Sequence, residues 1–275
     1  SNTNWSSWLS YNYLGNNYFA DMGFLQNVED VYDANRDTTF RQGYHSLFTN
    51  LAYTHFAKNT SKFNRHRFSV FNSSRATPGG HHYSRFTQAE YEMMFKNRSN
   101  LKFKVNNNYI ELFSDFFYSS KDSLPIASYT YNIGEIEYRS DSRKSLGFEG
   151  RLLYGSFYNG MRSSVRLGIN YRTRPWGNFG LQVEYNKLEF PEPFADADLL
   201  LISPRIEINF SKNIFWTTFL QYNTQADNFN INSRLQWRFK PMSDIFLVYT
   251  DNYAVEVFGQ KNRAVVFKMN YWLNL

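Results

Sequence analysis

Apolar and polar residues alternate one for one along much of this chain. In the closing stretch KNRAVVFKMNYWLNL the odd positions Val265, Phe267, Met269, Tyr271, Leu273 and Leu275 are apolar or aromatic, with Lys268, Asn270 and Asn274 between them. Successive side chains of a strand point to opposite faces, so this segment predicts a strand with one apolar face and one mostly wet face. The pattern recurs upstream. Val165, Leu167, Ile169 and Tyr171 oppose Ser164, Arg166, Asn170 and Arg172; after a turn at RPWGN, Phe179, Leu181, Val183 and Tyr185 oppose Gln182, Glu184 and Asn186, a predicted hairpin. Ile206 and Ile208 oppose Arg205, Glu207 and Asn209, and Trp216, Thr218, Leu220 and Tyr222 follow. Ile231, Leu235 and Trp237 alternate with Asn232, Arg234, Gln236 and Arg238, ahead of Ile245, Leu247 and Tyr249. The first half is similar: Leu101, Phe103 and Val105 alternate with Lys102, Lys104 and Asn106, and Phe148 and Leu152 flank Glu149 and Arg151. Near Gly134 the phase slips, from Tyr129, Tyr131 and Ile133 to Ile136 and Tyr138, which reads as a β-bulge. Roughly 14 strands result, each near or above the length that spans a bilayer when tilted.

The connections alternate in length as well. AKNTSK, NRSN, SDSRKS, RPWGN, SKN and KPMSD are short, whereas residues 15–38, 73–82, 191–198 and 254–262 read as longer loops, and NGM at 159–161 breaks the trend. Short turns at one end and longer loops at the other predict an all-β, transmembrane, antiparallel up-and-down β-barrel, with its short turns and both termini periplasmic. The prediction is one domain over 1–275, closed by the final strand with its odd positions toward lipid. A soluble sandwich or propeller also alternates. The strand lengths, the aromatic content of the apolar face and the charges at mid-strand favour the barrel, whose wet interior tolerates such charges.

Composition sharpens this. The 275 residues are 42% hydrophobic and 20% aromatic, with 27 Phe, 21 Tyr and 6 Trp. Mean hydropathy is −0.57. An excess of rings over aliphatics suits a boundary between apolar medium and water. The longest aliphatic run, LLLI at 199–202, is far too short for a membrane helix. Cysteine is absent, so neither disulfides nor thiolate metal sites contribute. No signal peptide is visible, which suggests a mature form or a fragment. The net charge of +6 raises nucleic acid as a partner, but Lys and Arg are spread along alternating strands rather than gathered in a patch. That distribution points to a pore wall or lipopolysaccharide contact instead.

From FLQYNTQADNFNINSRLQWRFKPMSDIFLVYTDNY to its end, and more faintly at ADMGFLQNVEDVY, the chain resembles a family of Bacteroidota outer-membrane proteins. In that family an N-terminal domain like the family 9 carbohydrate-binding modules precedes a C-terminal β-barrel. The resemblance implies a Gram-negative outer membrane, partners among its lipids, lipopolysaccharide and other outer-membrane proteins, and a link to glycan handling. Members are longer, so it also implies that this chain corresponds to the C-terminal part and that its strand count is a lower bound.

Candidate chemistry is sparse. His81 and His82 in PGGHHY are the one histidine pair, and with no carboxylate cluster nearby they read as a solvated loop. Asp33, Asn35 and Asp37 begin like a calcium loop, but Thr38 stands where Gly is needed. No nucleophile elbow, P-loop or dinucleotide fingerprint is present. The expectation is therefore a non-enzymatic, cofactor-free barrel acting as a porin-like pore or as the membrane-embedded subunit of a larger assembly. The alternative is a barrel-embedded hydrolase of lipid or peptide. The named constellation is a candidate lumen lining: Arg151, Arg166, Arg172, Arg205, Arg234, Arg238 and Lys268 with Glu149, Glu184 and Glu207. It serves either to favour anions or, as the preferred reading, to pair charges across strands. Specific recognition is assigned to the external loops, 15–38 above all.

Overall fold

A computed structural model describes residues 4–16, 18, 43–119, 122–255, 257 and 259–273, and the backbone alone of 30–33 and 38–41. The strands in chain order are β1 (Trp5–Leu14), β2 (Asp30–Asp33), β3 (Thr38–Arg41), β4 (Tyr44–Phe56), β5 (Phe63–Ala76), β6 (His82–Phe95), β7 (Asn100–Glu111), β8 (Phe116–Phe117) and β9 (Ser123–Leu124). The second half holds β10 (Ser128–Arg139), β11 (Leu146–Phe157), β12 (Gly160–Thr173), β13 (Gly177–Glu189), β14 (Ala197–Asn209), β15 (Ile214–Asn223), β16 (Asn228–Lys240), β17 (Ser243–Tyr253) and β18 (Gln260–Asn270). Fourteen of them form a single antiparallel meander, β1-β4-β5-β6-β7-β10 and onward in sequence to β18, and β2-β3 and β8-β9 are small separate hairpins. No helix among the described residues is long and apolar enough to cross a membrane. The count of 14 matches the alternation. Closure does not appear: β1 and β18 are the two ends of the strand order, with no ladder joining them among the described residues.

Register carries the alternation from strand to strand. Tyr53, Phe68, Tyr91, Phe103, Ile136, Leu152, Val165, Tyr185 and Leu200 lie opposite one another in succession, as one row across nine strands. A second row runs Ile208, Trp216, Leu235, Leu247 and Phe267. These side chains stand on a face that no described residue covers, and on it Leu167 is 58% exposed and Phe267 66%. The molecule presents 17833 Å² to its surroundings, against about 12,000 Å² for a compact soluble protein of this mass.

The turns follow local chemistry. Lys240 pairs with Ser243 across a tight turn in which Met242 takes a φ of 57° beside a register shift. Between β11 and β12, Tyr158 has a φ of 53°, and a Cβ on Gly160 would stand 2.2 Å from the Glu189 carbonyl, so only glycine fits. The connection expected over 73–82 is shorter, residues 77–81. Ser73 to Ala76 continue β5 opposite Phe48 to His45, an extension invisible to apolar alternation because its residues are small or polar.

The expected β-bulge at Gly134 is not there. β10 pairs with β7 without interruption from Ser128↔Glu111 to Arg139↔Asn100. What changes at Gly134 is which face is apolar. Tyr129, Tyr131 and Ile133 lie on the otherwise polar face, where Tyr129 and Ile133 are buried. Tyr129 and Tyr131 are covered by residues 112–119 and 122–127, which lie over that face between β7 and β10. Leu112, Tyr118, Leu124, Tyr129, Leu188 and Phe190 form the buried core, with Ile110, Tyr131, Phe157 and Leu199 packed against it. Tyr118 Oη donates to the Ala195 carbonyl at 2.8 Å, and Gln225 Nε2 reaches the Tyr118 carbonyl at 3.4 Å. On the polar face a single cavity of about 410 Å³ is lined together by Arg139 of β10, Glu149 of β11, Asn170 of β12, Gln182 of β13, Arg205 of β14 and Phe219 of β15. The sheet is therefore curled with its polar face concave.

Candidate functional site: a charged concave wall beneath an inward loop

Every residue of the candidate lining falls on this concave face. Arg151 and Arg166 are cross-strand neighbours, Arg166 lies opposite Glu184, and Arg172, Asn178, Glu207, Thr217 and Arg234 form one row over five strands. Arg238 lies opposite Asp244, and Lys268 opposite Phe246. Most of these cations meet a carboxylate. Arg166 Nε donates to Glu184 Oε2 at 2.7 Å, Arg205 Nε to Glu207 Oε1 at 2.8 Å and Arg238 Nε to Asp244 Oδ1 at 3.3 Å. Arg151 reaches Glu135 at 2.8 Å, and Glu149 pairs with Arg139 at 3.7 Å. Arg172 instead donates to the backbone carbonyls of Ser142 and Lys144. Among the described residues, Arg234 and Lys268 make neither an ion pair nor a hydrogen bond. Pairing across strands thus accounts for most of the wall's charge.

The densest part of the network lies outside the candidate lining. Lys104 Nζ donates to Glu135 Oε1 at 2.7 Å and to Glu137 Oε2 at 2.8 Å, with the Glu135 side chain 5% exposed. Lys102 meets Glu90 at 3.5 Å, and Arg65 meets Glu92 at 3.6 Å. The signal is present in the sequence as LKFKV and EIEY: two lysines and two glutamates at spacing two, on strands that pair antiparallel, neutralise one another on one face. Recognising it requires the register. A cleft of about 450 Å³ opens over this network, lined by Lys104, Glu135, Glu137, Arg151 and Arg166.

At the end of the wall carrying most of the longer connections, the inward loop forms a roof. Phe116 stacks on Tyr158 at 4.7 Å and Tyr118 packs against Phe190 at 4.5 Å. Burial, then the nearby Asp122 carboxylate, pushes the Tyr118 hydroxyl above its ordinary pKa, so it stays a donor. At the short-turn end, Arg143 binds Asp141 through Nη2–Oδ2 at 2.7 Å and Nε–Oδ1 at 2.9 Å, holding that carboxyl below the usual Asp range.

The histidines diverge. His81 Nε2 bonds Glu111 Oε2 at 2.8 Å, while His82 stacks on Tyr109 at 5.4 Å. Asn35 and Asp37 lie outside the described residues, as does most of the loop 15–38, and Leu275 at the chain's end. A comparison with protein-family models found no match for this chain, and a comparison with curated proteins found none.

Proposed function

We propose that this chain forms the wall of a Gram-negative outer-membrane β-barrel and acts, without enzymatic activity, as a narrowed pore or as the membrane-embedded subunit of a larger assembly. One observation carries the reading: a curled 14-strand meander with a continuous apolar, aromatic convex face and a concave face of paired charges. In water, uncovered apolar area on this scale is strongly unfavourable; in lipid it is the required surface. The paired charges suit an aqueous interior, and the inward loop narrows it at one end. A spanning sheet tolerates no open edge in hydrocarbon, so the proposal includes coverage of β1 and β18 in the membrane, by one another or by further strands. The partners are outer-membrane lipid and lipopolysaccharide, with other outer-membrane proteins in the subunit case. The resemblance to the Bacteroidota family supports this setting and its link to glycans.

Reconstitution into planar bilayers tests it. Small stepwise conductance supports the pore; an inserted but silent protein that co-purifies with stable partners supports the subunit. Failure to insert into lipid at all would remove the barrel.

A further inference from the structure

Between the inward loop and the wall lies a cleft of about 310 Å³, within the size range of small-molecule sites. Its lining is of two kinds. Phe116, Tyr118 and Phe157 supply ring surface, and Arg162, Asn186 and Gln225 supply polar groups. Arg162 sets the chemistry. Its Nε and Nη2 both donate to the Asn186 Oδ1, at 3.2 and 2.7 Å, and its guanidinium lies over the Phe157 ring at 5.5 Å. Glu184, the one acid lining the cleft, is held by Arg166 at 2.7 Å.

This arrangement differs from the rest of the wall. Lys104, Arg151, Arg166, Arg205 and Arg238 each bind a carboxylate, Arg234 is exposed, and the half-buried Arg172 is taken up by backbone carbonyls; Arg67 and Arg75, half-buried without an ion pair, lie on β5, away from the inward loop. Arg162 is half-buried and its hydrogen bonds go to a neutral amide; Glu184 attracts it only through its charge, so spare donors of a planar fork remain in a sheltered, ring-lined cleft. A guanidinium in that setting matches a carboxylate through two parallel hydrogen bonds.

We propose that this cleft binds a small organic carboxylate carrying a ring: the carboxylate on Arg162, the ring against Phe116, Tyr118 and Phe157, and polar edges of the molecule on Gln225. The site requires only a wet concave face, so it stands apart from whether the wall conducts.

Titration calorimetry on the full chain in detergent micelles, with benzoate and its neutral counterpart benzamide, tests this. The expected result is saturable benzoate binding, with benzamide at least about tenfold weaker because it forgoes the charge-assisted pair. Arg162→Gln should bring benzoate down to the level of benzamide and leave benzamide unchanged. Lys212→Gln, the same charge change in a remote turn, should alter neither. Phe116→Ala, on the loop and outside the fourteen-stranded sheet, should weaken both probes alike and serves if Arg162→Gln fails to fold. Absence of saturable benzoate binding, benzoate binding that survives Arg162→Gln, equal losses in Lys212→Gln, or unchanged binding in Phe116→Ala would each overturn the proposal.

Discussion

At the scale of single residues, the two faces make opposite demands. Leu167 and Leu235 stand on the convex face, Asn170 and Gln236 on the concave one. On the proposed lipid face, Leu167→Arg or Leu235→Arg should destabilise the folded protein by about 2–4 kcal/mol near the midplane, with Asn170→Arg and Gln236→Arg much milder; a refolding titration in detergent or lipid measures this, and equal damage at both sets would contradict the assigned faces. Within the wall, Glu135 receives both Lys104 and Arg151. Glu135→Leu leaves two cations facing each other with no shared anion, and should cost about 3 kcal/mol in the same titration. Asp141 gives a pH dependence. Because Arg143 lowers its folded pKa, its contribution is complete above the ordinary Asp value of about 3.9 and declines as pH falls toward the lowered folded value. The stability difference between wild type and Asp141→Asn should therefore shrink as pH drops below about 4, as followed by denaturant midpoints.

Among the elements whose side chains are described, the inward loop departs from a plain meander. Its ends are fixed by the uninterrupted β7–β10 ladder, which does not depend on the loop's own contacts. Replacing residues 114–125 with a short Gly-Ser turn should therefore preserve the strand signal in circular dichroism. It should also uncover Leu188 and Phe190 and widen the concave space at that end. In the pore reading single-channel conductance rises; unchanged conductance in a folded variant would show that the loop does not narrow the path. The loop also explains the apparent phase slip at Gly134. Tyr129 and Tyr131 are apolar on the wet face because the inward loop packs over them, and past Gly134 the ordinary alternation resumes. In the sequence that switch has the same signature as an inserted residue, and only the partner strand's register separates the two.

For the whole molecule, the decisive feature is a two-faced sheet with two open edges. Hydrogen exchange on the protein in lipid should show the amides of β1 and β18 as protected as those of β11, because edges in hydrocarbon must be paired; rapid exchange at both edges would count against the barrel. The strand number and the assignment of Arg151, Arg166, Arg172, Glu184, Arg205, Glu207, Arg234, Arg238 and Lys268 to one face were legible in the sequence. Alternation at period two is a local property, and it survives whatever the strand pairs with. Which charges meet was less legible, since Lys104 finds Glu135 and Glu137 only through the register of β7 with β10. The inward loop and its cleft were not legible at all. Tyr118 is joined to Ala195 and Gln225 across separations of 77 and 107 residues, and nothing local in its own segment marks those partners. An all-β meander with one apolar and one charged face follows from the alternation alone, because face is set residue by residue. Where the wet face becomes a core, and where Arg162 meets Asn186 beneath ring surface, appears in the fold alone, because both depend on curvature that brings distant strands within reach of one loop.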